Sequence, residues 1–150
     1  MLRVASAADA PFVAGLVPRF VEHGVAGGHT RAEVLAGTEA VLRAALADPQ
    51  AGEMFLIAED AAGAPAGFVY AVTERDFFTG EPYAHVSEIA AVRSGEGVGD
   101  ALMEAVEGWA RTRGYRSVTL NVIAENVAGR RFYERLGYGP AHVQLIKRLA

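Results

Sequence analysis

Two apolar rhythms, one with a period near two and one near 3.6, succeed each other along the chain and set the order of its elements. Residues 2–5 read as a short strand. Phe12, Leu16 and Phe20 then recur at helical spacing behind Asp9, an N-cap type, with Pro11 in the first turn; Pro18 ends or bends this helix. Residues 23–30 carry Gly24, Gly27 and Gly28 and read as a mobile loop of the kind that contacts substrate. Thr30 caps a second helix over Arg31–Ala47, with Val34, Thr38, Val41, Leu42 and Ala45 on its inner side and Asp48 and Pro49 as its stop. Residues 54–58 and 67–73 are β-rich runs joined by a turn at 59–65. After an aromatic loop at 76–82, a fourth strand runs from Tyr83 or Ala84 to Val92. A third helix over 100–111 aligns Leu102, Val106 and Trp109 on one face. Residues 117–123 form a fifth strand, Asn126 caps a short helix to Leu136 stopped by Gly137, and 143–149 give a final strand. Neither a repeat nor a low-complexity linker interrupts this order, so residues 1–150 form one domain.

Composition narrows the chemistry. The sequence has no cysteine, which excludes disulfides, thiolate zinc sites and transfer through an enzyme thiol. None of its four histidines stands at metal-ligand spacing with another histidine or acid on one helix face, so no metal is assigned. Apolar runs are too short for a bilayer span or a signal peptide, which points to a cytoplasmic protein without a membrane role. The net charge of −4 argues against nucleic-acid binding. That charge is segregated: residues 1–92 hold 5 Arg against 12 Asp and Glu, and residues 93–150 hold 9 Lys and Arg against 6 acids. A polyanion held by the C-terminal part and a cation admitted by the N-terminal part fit this division; the alternative is a charge asymmetry without functional meaning.

The stretch Arg93, Ser94, Gly95, Glu96, Gly97, Val98, Gly99 lies in the basic part, between the fourth strand and the third helix. Alternate glycines let backbone N–H groups turn inward toward an anion, and the helix that follows adds its positive end. A dinucleotide fingerprint would need glycine in place of Asp100, and a Walker loop would need Lys and then Ser or Thr after the last glycine. Neither applies. A glycine-rich turn without a ligand is the alternative.

Together with residues 126–138 (Asn126, Tyr133, Glu134, Gly137 and Tyr138 at their mutual spacing), this loop resembles the two signature motifs of the GNAT superfamily of acyl-CoA-dependent N-acyltransferases. The resemblance spans the chain, in pattern more than in motif over its first half. It implies an α+β fold with a central mixed, mostly antiparallel sheet of six to seven strands, about four helices, and splayed fourth and fifth strands. Acetyl-CoA is the implied co-substrate, held by strand four at Ala90, Ala91 and Val92, by Gly95, Gly97, Val98, Gly99 and Asp100, and by Asn126. Arg130 either reaches phosphate oxygens, together with Arg131, or is a solvated surface arginine. The sequence departs from the family pattern at several positions. Ser94 stands where Arg or Gln is usual, the spacer before Gly95 is short, Glu96 and Asp100 place acids at the phosphate, and Gly129 replaces alanine. Asn121 stands where some members carry a catalytic Glu, so it cannot be the base.

The resemblance puts Tyr133 at the general-acid position, where a phenol protonates the departing thiolate. Its alternative is a packed helix tyrosine. For the base, the residues point to Glu88, an acid in an otherwise apolar strand; the alternatives are a carboxylate that holds a cationic substrate or a structural partner for an arginine. Glu22, His29 and His85 are further substrate-side candidates. The implied reaction is direct acetyl transfer to a primary amine on a small molecule or a protein, by a monomer or homodimer. The rival reading is a regulatory domain that binds acyl-CoA without catalysis.

Overall fold

The computed structural model describes residues 1–149. Strand β1 (Leu2–Val4) leads through a 3-10 turn (Ala7–Asp9) into helix α1 (Ala10–Leu16), which tightens into a 3-10 helix (Val17–Val21) at Pro18. Helix α2 (Arg31–Ala47) follows, then β2 (Glu53–Glu59), β3 (Pro65–Arg75), β4 (Pro82–Ala91), α3 (Val98–Thr112), β5 (Val118–Leu120) and α4 (Val127–Arg135). The strands form one sheet in the order β1-β2-β3-β4-β5, antiparallel except for the parallel β4–β5 pair. The fold is therefore α+β with a mixed sheet and four α-helices.

Core residues explain the layers. On β3, Phe68 through Ala71 are all buried because helices cover both faces of the sheet. Phe68 and Tyr70 pack with Val13, Leu16, Leu42 and Leu46 of α1 and α2, whereas Val69 and Ala71 pack with Leu102, Met103 and Val106 of α3. The inner stripe of α2 is Leu35, Leu42, Ala45 and Leu46; Val41, read as inward from the sequence, is half exposed. Windows of adjacent apolar residues leave the phase of such a helix open by one position. Thr30 does cap α2, its hydroxyl accepting from Glu33 N at 3.1 Å. Asp9 behaves differently from a simple cap: its buried carboxylate accepts from the Ser6 N–H and from both Nη atoms of Arg3, which holds its pKa below the usual carboxylate range.

The sheet has five strands, fewer than the six to seven implied by the resemblance. The missing element is the strand expected over 143–149, which joins no ladder. Val143, Leu145, Ile146 and Leu149 are exposed, Ile146 lying against Gly27 and Gly28. Period-two alternation makes a strand only where an edge lies alongside to bond it. Strand β5 is shorter than 117–123 for a related reason: it pairs with Ala84, His85 and Val86 of β4 and then parts from it.

Candidate functional site

That parting is the origin of the site. Along β4, the partner of Tyr70 is Glu88 but the partner of Ala71 is Val86, so Ser87 is an extra residue, a β-bulge. A bulge bends its strand, and the bend falls just past the last residue that β5 pairs. Beyond it, residues 88–91 have a neighbour on the β3 side only. The bulge also resets which face each side chain takes: Val86 and Ile89 lie with α3, while Glu88 shares the face of Tyr70, its cross-strand partner.

Between the diverging strands lies a cleft of about 660 Å³. Its walls are the glycine loop and first turn of α3, the end of β4, residues 120–123 from the last residue of β5 onward, the 3-10 helix with Glu22 and His23 beyond it, and Tyr133 of α4. Gly95 and Gly97 have φ of +80° and +78°, left-handed values that a side chain would oppose, and Gly97 is the N-cap of α3. Gly99 has a different role: a Cβ there would stand 3.0 Å from the Phe132 ring, so its smallness lets α3 and α4 approach. The acids near the loop are matched by arginines. Arg135 meets Asp100 at 2.8 Å and pulls its pKa down, and Arg93 lies 3.8 Å from Glu96. The Asp100 charge that would oppose an anion at the helix end is thereby offset.

Glu88 and Tyr133 both line this cleft. Burial pushes the Glu88 carboxyl up to about 7. Burial, and secondarily the Glu88 charge, pushes the Tyr133 phenol up to about 12. The Tyr133 ring is held edge-on against Phe132 and Tyr138, at 5.0 and 6.1 Å between centroids. One pair of groups thus spans the range needed to accept a proton near neutrality and to keep one for donation.

Of the other positions singled out in the sequence, Ala90, Ala91, Gly95, Gly97, Val98, Gly99, Asp100, Asn126 and Glu22 line the same cleft. Asn126 caps α4, its Oδ1 accepting from Gly129 N at 2.9 Å, and its carboxamide fills the space that a Cβ on Gly129 would need. Val92 and Arg130 lie outside the lining, and the Arg130 guanidinium donates to Ala124 O at 3.2 Å. His85 sits where β4 and β5 are still paired, with Nδ1 2.7 Å from Thr119 Oγ1, and His29 is in the exposed loop against Gly27 O. His23, the first residue of the loop expected to contact substrate, does line the cleft, whereas sequence reasoning overlooked Arg19, which the 3-10 turns after Pro18 bring there beside Glu22. The charged residues flanking Phe20 and Val21, Arg19 and Glu22, were the available signal. Arg135, which pairs with Asp100, was also missed.

Comparisons with known proteins bear on the fold and the family. No curated protein matches the chain by sequence. Among solved structures, a point mutant of the BH1408 protein from Bacillus halodurans superposes with a TM-score of 0.82 at 16% identity, covering 100% of this chain and 99% of that one. A ribosomal-protein-alanine N-acetyltransferase from Brucella melitensis biovar Abortus 2308 gives 0.70 at 18% identity, with 99% of each chain covered. AAC(6')-Iy, in complex with the bisubstrate analog CoA-S-monomethyl-acetylneamine, gives 0.69 at 21% identity, covering 100% and 97%. At such identities these likenesses show the fold. The model of the acetyltransferase (GNAT) family matches residues 28–138, from the loop before α2 to the end of the second signature, and the chain belongs to that family.

Proposed function

We propose that the protein is an N-acetyltransferase that moves an acetyl group from acetyl-CoA directly to a primary amine. The observation that carries this reading is the meeting, in one cleft, of a glycine loop at a helix N-terminus with a carboxyl poised near 7 and a protonated phenol. The loop and the start of α3 would take the diphosphate, and the unpaired edge of β4 would take the pantetheine arm, placing the thioester between Glu88 and Tyr133. The neutral amine attacks the thioester carbonyl carbon, the C–S bond breaks, and an amide and a CoA thiolate result. Glu88 takes the proton that the amine gives up; Tyr133 gives its proton to the sulfur and regains one from solvent. The two steps reinforce each other. Once Glu88 is protonated, its charge no longer raises the Tyr133 pKa, so the phenol becomes a better donor as the thiolate leaves.

The acetyltransferases among the structural neighbours, one with a CoA-containing bisubstrate analog bound, support acetyl-CoA and an amine as substrates. Incubation with acetyl-CoA and a panel of amines, followed by free thiol release, tests the reading. Amine-dependent release sustains it, and tight binding of acetyl-CoA without release on any amine replaces it with a binding domain.

A further inference from the structure

Strand β4 ends at Ala91, and beyond the last ladder bond, Val92 N to Ala66 O at 2.8 Å, the chain turns into the glycine loop. The carbonyls of Ala91 and Val92 have no strand to bond at this point. Bare, they would set two negative partial charges beside the loop, against an anion approaching its N–H groups. Arg19 prevents this. From the 3-10 helix Val17–Val21 its Nη1 donates to the oxygens of both Ala91 and Val92, the latter at 2.6 Å. Arg19 lines the same cleft as Gly95, Gly97 and Gly99.

We infer that Arg19 is a cofactor-recognition residue whose guanidinium, braced on the strand-end carbonyls, binds the anionic diphosphate of the acyl-CoA. The inference rests on the acyl-CoA reading above and adds a residue that neither signature motif contains. A guanidinium has five N–H donors, and two are committed through Nη1. The nearest acid, Glu22, is 3.7 Å from Nε, beyond hydrogen-bond distance, and is itself half exposed. Nε and Nη2 therefore remain for ligand oxygens, in the planar fork that suits phosphate. The other arginines of the cleft are placed differently. Arg135 is held by Asp100, and Arg93 points outward, with 77% of its side chain exposed and Glu96 beside it. Ser94 brings no charge to the loop. The cation fixed at the junction of strand and loop is Arg19, and it reverses the sign of the potential there.

The test compares acetyl-CoA with S-acetylpantetheine, which has the same acyl arm but no diphosphate, on the parent, Arg19→Gln, Arg19→Lys and Gly97→Val. Arg19→Gln weakens acetyl-CoA binding by roughly tenfold or more while changing S-acetylpantetheine affinity less than about twofold. Arg19→Lys falls between, since it keeps the charge and loses the fork. Acetyl-CoA affinity of Arg19→Gln also falls less steeply with added salt than that of the parent, which decides the matter even where S-acetylpantetheine binds too weakly to measure. Equal loss of both ligands, with an unchanged salt slope, overturns the inference, because Arg19 then only props the strand end. Parental acetyl-CoA affinity in Arg19→Gln also overturns it; if Gly97→Val abolishes binding in that case, the acyl-CoA site stands without Arg19. Indifference of both variants removes the site itself.

Discussion

Glu88 carries a cost that the fold tolerates for the sake of its position. Its folded pKa of about 7 lies above the ordinary 4.5, so the folded protein holds the Glu88 proton more tightly than the unfolded chain does. The stability it contributes is complete below the ordinary carboxylate range, declines as pH climbs toward about 7, and levels off above. Glu88→Gln removes that decline. Thermal denaturation then shows the variant gaining on the parent between pH 4.5 and 8, with a ceiling of ~3 kcal/mol set by the size of the shift. As the proposed base, the same group is expected to give kcat/KM a rising limb near pH 7, and Glu88→Gln to lose that limb together with most of its activity. A variant that keeps both limb and rate would leave Glu88 as a binding carboxylate. Tyr133 is tested by Phe, which keeps the ring against Phe132 and Tyr138 and removes the proton. Turnover falls by ~10²–10⁴-fold with acetyl-CoA affinity and melting temperature held, and an unchanged turnover would assign the phenol to packing.

At the scale of elements, the bulge at Ser87 and the glycine loop open a cleft in an ordinary strand–helix unit. Both act through the backbone, and they differ in how far the sequence reveals them. The loop could be read, because left-handed residues call for glycine and Gly95 and Gly97 supply it. Helix α2 could be read from its cap to its last residue, and β3 could be read with its ends in doubt by two residues. The bulge could not, because Val86, Ser87 and Glu88 give no turn signal and the extra residue is defined only by what β3 places opposite. The strand expected over 143–149 failed for the converse reason, since its alternation is present but no edge bonds it. Arg19 was hidden because Pro18 changes the helical repeat from 3.6 to three, which turns Arg19 and Glu22 to one side. For the loop, Gly97→Val forces a β-branched residue to a φ of +78° where nothing crowds it sterically, so the damage is to backbone direction. Calorimetry is expected to show acetyl-CoA binding reduced by at least about tenfold, with far-ultraviolet dichroism retained; parental affinity would move the cofactor elsewhere.

Across the whole molecule, the cleft coincides with the border between the two charge domains of the sequence. The change from acid-rich to base-rich chain falls at residue 92, just beyond the end of β4 at Ala91. The N-terminal part brings Glu22, Glu88 and Arg19 to the cleft, and the C-terminal part brings the glycine loop and the start of α3. A cleft with low-dielectric walls focuses such fields, so in the proposed reaction the acids would draw in a cationic amine while the loop and Arg19 would draw in the anionic cofactor. Salt screens this attraction over a Debye length of ~8 Å near physiological ionic strength. The KM of the amine therefore rises with added salt while kcat, set inside the cleft, changes little. Glu22 is the group through which to separate steering from chemistry, being half exposed at the cleft mouth. Glu22→Gln is expected to raise the amine KM by about two- to fivefold at low salt, to lose most of that effect at 0.5 M salt, and to leave kcat near the parental value. Initial-rate measurements over a salt series decide it, and an amine KM indifferent to both salt and Glu22 would mean that the acceptor is recognised by shape and hydrogen bonding instead of by charge.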